Sequence, residues 1–518
     1  MTDSKLSPEA MKAGSQEREF MGHPIGLTVC FLTEMWERFS YYGMRTILVL
    51  YLTKYHLFSA GKASMIYGAY AGLVYMMPII GGYMADRYLG SRKAVTYGAL
   101  LLVAGHSLMA FHGPQAYMDG DAVVRNDFYI NIFFFAMALI IGGVGFLKAN
   151  ISTIVGALYG KDDPRRDGGF TIFYMGINVG SVLSTILVGY VGEVYGWNYG
   201  FGLAGIGMLF GLLVFLGGQK LLEGRAEPPK PEVLKESAVG PINKEWAVYL
   251  FGFVLVLISW IMLQYDELVL SLLGVTGIIM LGIMLAYGFM KCEAEARNRL
   301  IVASFLIAVQ SVFWALFEQQ AASLTLLADQ QFDRVVFGFE IPASTVQSLN
   351  PGFIVLLAPV FAWMWVALSR KGIEPSTPGK FGIAMLLIGL GYVIFSWGMG
   401  LDDSTSKSML WMVWIYLSLT VAELCLSPVG LSMVTKLSPK TIVGMVMGTW
   451  FLFTALGNNV AGWISSLTGG GGHGADSGTL DIAATMEVYT TIGFISIGLG
   501  VFIFILTPLM KKYMHGIH

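Results

Sequence analysis

Long apolar stretches alternate with short polar connections along the whole chain. A window of about 20 residues, the length of helix that crosses a bilayer, finds fourteen apolar segments in the 518 residues. They lie at about 27–53, 63–85, 94–112, 128–158, 169–194, 198–218, 246–264, 268–290, 300–328, 346–369, 380–400, 409–436, 441–467 and 484–510. This pattern predicts an all-α polytopic membrane protein with fourteen transmembrane helices.

Basic residues are distributed unequally between alternate connections. The side that includes both tails carries 24 Lys and Arg residues, whereas the other side carries 5. Because cytoplasmic loops are enriched in basic residues, we expect both termini in the cytoplasm. The expected location is the plasma membrane (the cell inner membrane), which the chain crosses many times.

A polar, proline-containing stretch at 223–245 follows the first six segments. Together with the fourteen apolar segments, this stretch divides the chain into five parts. They are a cytoplasmic tail (1–24), a six-helix bundle (25–220), a linker with two additional transmembrane helices (221–295), a second six-helix bundle (296–512) and a short cytoplasmic tail (513–518). Two six-helix halves joined in this way are typical of transporters that bind their substrate at the midplane, between the halves.

Composition agrees with a membrane protein and excludes several other classes. Charged residues make up 13% of the chain, far below the quarter typical of soluble domains, and the mean hydropathy is +0.65. A net charge of −2 gives no field that would attract nucleic acid. The sequence has no phosphate-binding glycine loop or metal-ligand cluster. We therefore expect no cofactor, no metal, no nucleic-acid partner and no enzymatic activity.

Seven ionisable residues lie inside the apolar segments, where each costs roughly 3 kcal/mol or more unless it faces a cavity or a partner. They are Glu34, Glu37, Arg38, Arg45, Lys148, Glu318 and Glu423. In the first segment, positions 34, 37, 38, 41, 42 and 45 share an arc of roughly 140° on a helix. This polar stripe is expected to line an internal cavity.

The buried cations belong to the first half, whereas Glu318 and Glu423 belong to the second. This field favours a zwitterion, such as an amino acid or short peptide, with its carboxylate towards the first half. Alternatively, the charges pair only to hold the bundles together, although buried pairs stabilise poorly compared with apolar packing. Aromatic and amide side chains could add walls and backbone contacts. The candidates are Tyr41, Tyr42, Tyr75, Asn178, Trp314, Asn350 and Trp450.

Several separated motifs resemble those of a known family. The loop 82–93 is similar to the loop motif of the major facilitator superfamily. Residues 34–43 match ExxERFxYYG, residues 143–150 match GxGxxKPN except for Ala149 at the proline, and residues 173–181 match FYxxINxGS. With Asn350-Pro351 and Glu423, they make the chain resemble, over about 25–510, the prokaryotic type of the proton-coupled oligopeptide transporter (POT) family of that superfamily.

The resemblance implies a symporter that imports di- and tripeptides with protons by alternating access. Arg38, Tyr42, Lys148, Asn178 and Asn350 would then contact the carboxylate end and the backbone of the peptide. Glu423 would receive the amino terminus, and Trp314 and Trp450 would wall the side-chain pockets. Tyr41 and Tyr75 remain candidate substrate contacts from the aromatic pattern alone. Glu34, Glu37, Arg45 and Glu318 would couple transport to protons.

The resemblance also implies which partners the protein has and which residues carry the proton. The expected partners are di- and tripeptides, protons and the lipid bilayer, and a monomer should suffice for function. Mammalian relatives carry a histidine in the second helix where this chain has Gly68, so carboxylates must carry the proton here. Two alternatives stay open. One is the same fold with another small substrate (nitrate, another anion or a drug), and the other is a membrane receptor that does not transport.

Overall fold

The computed structural model describes residues 18–160, 163–402, 404, 406–469 and 480–517. Most of the predicted tail 1–24 and the last residue of the tail 513–518 lie outside these described residues.

Long helices make up most of the described chain, and the predicted all-α membrane fold is confirmed. Fourteen described helices have 20 residues or more. They are α1 (Gly26–Lys54), α2 (Ala60–Met84), α3 (Gly90–Met109), α4 (Asp127–Ala157), α5 (Arg166–Val194), α6 (Trp197–Gly218), α7 (Lys244–Gln264), α8 (Asp266–Lys291), α9 (Ala294–Phe317), α10 (Leu349–Arg370), α11 (Thr377–Leu401), α12 (Leu410–Leu437), α13 (Val443–Leu467) and α14 (Ile482–Tyr513).

Eleven helical stretches of the described residues are long and apolar enough to cross a membrane. One of them combines α2 and α3, because the chain stays helical through a π-type turn at Ala85–Leu89. The α1 and α13 helices are not among the eleven. Of these two, α1 carries Glu34, Glu37, Arg38 and Arg45 along one side. Its polarity is explained by the cavity described below.

Short elements occupy the connections. The helical ones are Gln219–Leu222, Pro231–Lys235, Glu318–Ala321, Ser323–Gln331 and Ala343–Ser348. Five two-stranded pairs join β1 (Glu19–Phe20) to β2 (His23–Pro24), β3 (Tyr117–Asp119) to β4 (Ala122–Val124), β5 (Ser237–Val239) to β6 (Ile242–Asn243), β7 (Phe332–Asp333) to β10 (Lys407–Ser408) and β8 (Val335–Val336) to β9 (Phe339–Glu340). The β7–β10 pair is parallel and the others are antiparallel.

The ninth apolar segment, predicted as one helix over 300–328, is interrupted. The α9 helix ends at Phe317, and a 3-10 turn over Glu318–Ala321 precedes the short helix Ser323–Gln331. Tyrosine hydroxyls satisfy two carbonyl oxygens at the break: Tyr392 donates to Leu316 O at 2.7 Å and Tyr416 to Gln320 O at 3.1 Å. Such breaks often mark functional hinges, and this one places Glu318 at a helix end.

The turn between α2 and α3 requires a glycine. Gly90 has a φ of +70° and lies against the backbone of Glu227, so a side chain there would be both strained and crowded. Arg92 donates to Gln219 Oε1 at 2.6 Å and also pairs with Glu227. The basic loop 82–93 is thus linked through Arg92 to the residues that follow α6.

Polar contacts between the two halves cluster at one end of the molecule. We call the end where α1 begins and α14 ends the terminal face, and the other end the opposite face. At the opposite face, Lys54 Nζ lies 2.6 Å from Asp329 Oδ1, and Thr46 Oγ1 donates to Ser344 O at 2.9 Å. The α2 and α13 helices also pack closely there. These contacts close the opposite face.

The hairpin of α7 and α8 contacts both halves. Trp260 of α7 donates to Asn131 O of α4 at 3.2 Å, and Gly277 of α8 lies near Phe453 of α13. At the opposite face, Lys62 Nζ is 2.9 Å from both carboxylate oxygens of Asp266. The hairpin therefore packs beside the contact between the halves.

Candidate functional site

A cavity of about 320 Å³ lies between the two halves, at the lower end of the range of ligand sites. The first half contributes residues of α1, α2, α4 and α5, and the second half contributes residues of α9, α10, α12 and α13. Twelve of the fourteen residues predicted from the sequence line it. They are Glu34, Arg38, Tyr42, Arg45, Tyr75, Lys148, Asn178, Trp314, Glu318, Asn350, Glu423 and Trp450.

Arg38 is held by two glutamates of its own helix. Its Nε atom lies 2.8 Å from Glu34 Oε1 and 2.8 Å from Glu37 Oε2, and all three side chains are buried. Glu34 lies one helical turn before Arg38 and Glu37 directly precedes it, and both carboxylates are turned towards the Arg38 guanidinium. Glu37 does not line the cavity; it contacts Arg38 from within the first half. The charge of Arg38 is thus already balanced.

Arg45 is paired across the two halves. Its Nη2 atom lies 2.7 Å from Glu318 Oε2, which also accepts a hydrogen bond of 2.8 Å from the Tyr67 hydroxyl. The Arg45 guanidinium lies over the ring of Tyr42, 5.6 Å from its centroid. Glu318 reaches this position because α9 ends immediately before it. This pair closes the cavity on the side of the opposite face.

Lys148 has no carboxylate within 4.0 Å in the described part of the chain. Its Nζ atom instead lies 4.0 Å from the ring centroid of Tyr75, a cation–π contact. The α4 helix runs unbroken through Ala149, the position at which the sequence motif has proline. Lys148 is therefore the cavity cation whose charge is available to a ligand.

Glu423 lies on the other wall of the cavity. Asn350 Nδ2 donates to Glu423 Oε2 at 3.2 Å and to Thr420 Oγ1 at 3.0 Å. Among the described residues, no basic side chain lies within 4.0 Å of Glu423. A carboxylate in an apolar helix bundle is costly without a cation, and Glu423 is the carboxyl group of this wall that lacks a cationic partner among the described residues.

Aromatic rings and amides complete the walls. Gln310 Nε2 donates to the backbone oxygen of Trp450 at 2.7 Å, and Trp314 Nε1 donates to Gln310 Oε1 at 2.8 Å. The ring of Trp450 also packs on Gly430, where a Cβ atom would clash with it. Both indole rings are thus fixed in place. Asn178 Nδ2 donates to Tyr174 O at 3.1 Å.

Tyr41 does not take the place that the sequence predicted. It is 1% exposed, it does not line the cavity, and its ring stacks on Tyr70 at 6.5 Å between centroids. Tyr42 is the neighbour that faces the cavity. Tyr41 points away from the cavity because consecutive helical residues point about 100° apart, and its predicted substrate contact is not formed by the cavity in this structure.

Several residues at the site were not predicted as candidates. Tyr67 binds Glu318, and Gln347 lines the cavity while donating to Thr46 O at 3.2 Å. Gln310 binds Trp314 from the same helix. The polar character of Gln310 inside an apolar helix was the available signal, whereas a tyrosine such as Tyr67 does not stand out among 24 tyrosines.

Gly68, for which the sequence resemblance raised the question of a histidine, lies at a close contact between α2 and α13. A Cβ atom there would be 2.8 Å from both Asn459 O and Gly462 Cα. A side chain at this position would require the backbone of α13 to shift while the opposite face is closed.

A membrane protein whose described residues form long helices in two halves around a charged cavity belongs to the class of membrane transporters. The POT family model matches residues 92–474. The peptide transporter YePEPT of Yersinia enterocolitica is 38% identical over 515 residues, which cover 95% of this chain and 96% of that protein. A di-/tripeptide transporter of Lactococcus lactis is 35% identical over 525 residues, with coverage of 96% and 98%.

A solved structure agrees in fold over the whole chain. The crystal structure of a mutant peptide transporter POT in complex with alafosfalin superposes with a TM-score of 0.82 and 36% identity, and covers 99% of this chain and 100% of that one. The chain therefore belongs to the POT family, as its motifs predicted, and has the major facilitator fold. It is a transporter and not an enzyme.

Proposed function

We propose that this protein is a symporter that imports di- and tripeptides together with protons by alternating access. The names of the relatives in Yersinia and Lactococcus support a peptide substrate. We further propose that residues 25–220 and 296–512 act as the two moving bundles and that residues 221–295 join them. In this arrangement a monomer suffices, the terminal face is cytoplasmic, and the protein resides in the cell inner membrane.

The observation that carries the peptide proposal is the pairing pattern of the cavity charges. Arg38 and Arg45 already have carboxylate partners, whereas Lys148 and Glu423 have no oppositely charged partner within 4.0 Å in the described residues. They line opposite halves of the same cavity. A ligand with a carboxylate at one end and an ammonium at the other would satisfy both. A singly charged anion would leave Glu423 without a cation.

The other residues of the cavity have supporting roles in this proposal. Arg38 and Tyr42, beside Lys148, would receive the peptide carboxylate, and Asn178 and Asn350 would bind its backbone. Trp314, Trp450 and Tyr75 would form broad walls that tolerate different side chains. Tyr41 would act only indirectly, by supporting Tyr42 from behind.

Proton coupling would use the carboxylates on both sides of the cavity. Glu318 would exchange Arg45 for a proton, which would release the contact that closes the opposite face. Glu37 and Glu34 would exchange protons at Arg38 as the peptide carboxylate competes for the guanidinium. Each exchange changes a buried ion pair, so protonation and conformation are linked.

Uptake into proteoliposomes tests this proposal. With an acidic exterior and an inside-negative potential, labelled dialanine should accumulate, and a protonophore should abolish the accumulation. Unlabelled dipeptides should compete, whereas nitrate should not. Uptake that ignores both gradients would refute symport, and competition by nitrate but not by dipeptides would refute the peptide substrate. Liposomes without protein provide the background.

A further inference from the structure

A second cavity, outside the central site, lies at the terminal face of the second half. Its volume is about 590 Å³, and it is formed by the ends of α10, α11, α12 and α14 with the connection between α10 and α11. None of its lining residues contributes to the central cavity. We propose that this second cavity binds a phosphate group, as carried by the headgroup of an anionic phospholipid.

Positive charge dominates the polar wall of this cavity. Lys380, Lys436 and Lys511 line it, against Glu374 as its one lining carboxylate. Lys380 is 8% exposed, and its Nζ atom lies 2.5 Å from Glu374 Oε1. This hydrogen bond lowers the pKa of Glu374 and keeps the carboxyl ionised. Lys380 and Glu374 therefore balance each other.

Lys436 and Lys511 supply the net positive charge. They come from the last turns of α12 and α14, and both are exposed. In the part of the chain that the structure describes, neither has a carboxylate within 4.0 Å. Two unpaired ammonium groups facing one cavity repel each other, and an anion between them would remove that repulsion.

The start of α11 adds a second, independent feature. Ser376 precedes the first turn of this 25-residue helix, lines the cavity and is 9% exposed. Its hydroxyl caps no backbone N–H, and its oxygen is buried without a hydrogen-bond partner. A helix N-terminus attracts phosphate through its dipole and its free N–H groups. An unpartnered serine hydroxyl at that place is suited to donate to a phosphate oxygen.

The remaining lining points to a lipid as the source of the phosphate. Val429, Met433, Leu437 and Met514 form an apolar wall beside the lysines. A molecule that combines a phosphate with a hydrocarbon part would satisfy both walls. The position at the ends of transmembrane helices places the cavity at the depth of lipid headgroups, where basic residues attract anionic lipids.

Native mass spectrometry of the full chain tests the proposal. The detergent-purified protein is mixed with equal amounts of phosphatidylglycerol and phosphatidylcholine, and the retained lipid is counted. The wild type should prefer phosphatidylglycerol. The double variant Lys436→Gln/Lys511→Gln should lose that preference by roughly fivefold for each lysine removed, the usual effect of a basic residue near an anionic surface.

A matched control removes the same charge from the same face. Lys440 and Lys512 are exposed near the ends of the same helices but do not line the cavity, so Lys440→Gln/Lys512→Gln should retain the wild-type preference. Ser376→Ala should weaken phosphatidylglycerol retention without changing the charge of the cavity. If the double variant Lys436→Gln/Lys511→Gln fails size exclusion, Ser376→Ala is compared with the wild type in its place. Equal retention by wild type, double variant and Ser376→Ala would overturn a lipid site.

Inorganic phosphate distinguishes a soluble source of the same group. Without added lipid, millimolar phosphate that raises the Tm of the wild type and the control, but not of the double variant, would assign the cavity to a soluble phosphate compound. If neither phosphatidylglycerol nor phosphate separates the double variant from the control, the site does not exist. Dialanine uptake is not the readout, so these outcomes are independent of the proposed peptide transport.

Discussion

Arg45 and Glu318 are 273 positions apart in the chain, yet Arg45 Nη2 lies 2.7 Å from Glu318 Oε2. The pair joins the middle of α1 to the end of α9, so it links the two halves directly above the cavity. Both side chains are buried, and Tyr67 adds a third contact to the same carboxylate oxygen. Any opening of the opposite face must break this pair.

Glu318→Gln should abolish gradient-driven dialanine accumulation while peptide counterflow continues. The amide keeps the shape and can still accept from Tyr67, but it cannot exchange a proton with Arg45. Both assays are measured on the same reconstituted variant. Glu340 is exposed at the opposite face, so Glu340→Gln is the matched control and should transport normally. Accumulation by Glu318→Gln would show that this residue is not an obligatory proton carrier.

Lys148→Ala and Arg38→Ala should differ in stability although both should abolish uptake. Lys148 contacts the Tyr75 ring and no described carboxylate, so its removal should leave the Tm and the size-exclusion profile close to wild type. Removing Arg38 would leave Glu34 and Glu37 buried without their cation, at a cost of about 3–5 kcal/mol. A large loss of stability in Lys148→Ala would instead mean that Lys148 holds the bundles together.

Glu423→Gln should weaken the binding of dialanine much more than that of N-acetyldialanine. The free ammonium would lose its charge partner, whereas the acetylated peptide has no ammonium to lose. Competition against a labelled dipeptide measures both affinities. Glu487→Gln, on α14 and outside the central cavity, should change neither. Equal weakening of both peptides would mean that Glu423 acts through Asn350 and does not meet the amine.

Gly68→Ala should destabilise the state in which the opposite face is closed. Its Cβ atom would lie 2.8 Å from Asn459 O and Gly462 Cα, and such overpacking costs about 1–3 kcal/mol. Gly82→Ala in the same helix meets only Ala149 Cβ at 3.7 Å and is the matched control. Thermal unfolding of the purified proteins compares them. An unchanged Tm for Gly68→Ala would show that α2 and α13 separate easily.

The sequence by itself determined the membrane fold, the charged set and the family. The lengths of the apolar segments and the numbers of basic residues in the connections can be read from the chain without knowledge of packing. They therefore predict the helices and their orientation in the membrane. The contact of Arg38 with Glu34 is also local, because residues four apart face each other on a helix. The motif around Glu423 identified a carboxylate inside an apolar segment, but the sequence does not show which side chains of the protein contact it.

Only the tertiary structure decided which charges pair and which stay available. Arg45 meets Glu318 because the break after Phe317 and the closed contact of α2 with α13 bring distant segments together, and spacing carries no record of that approach. The same packing turns Tyr42 into the cavity and Tyr41 towards Tyr70, a distinction finer than the 140° arc of the helical wheel. Ion pairs between helices depend on distances of a few ångströms, which are set by packing across the whole bundle.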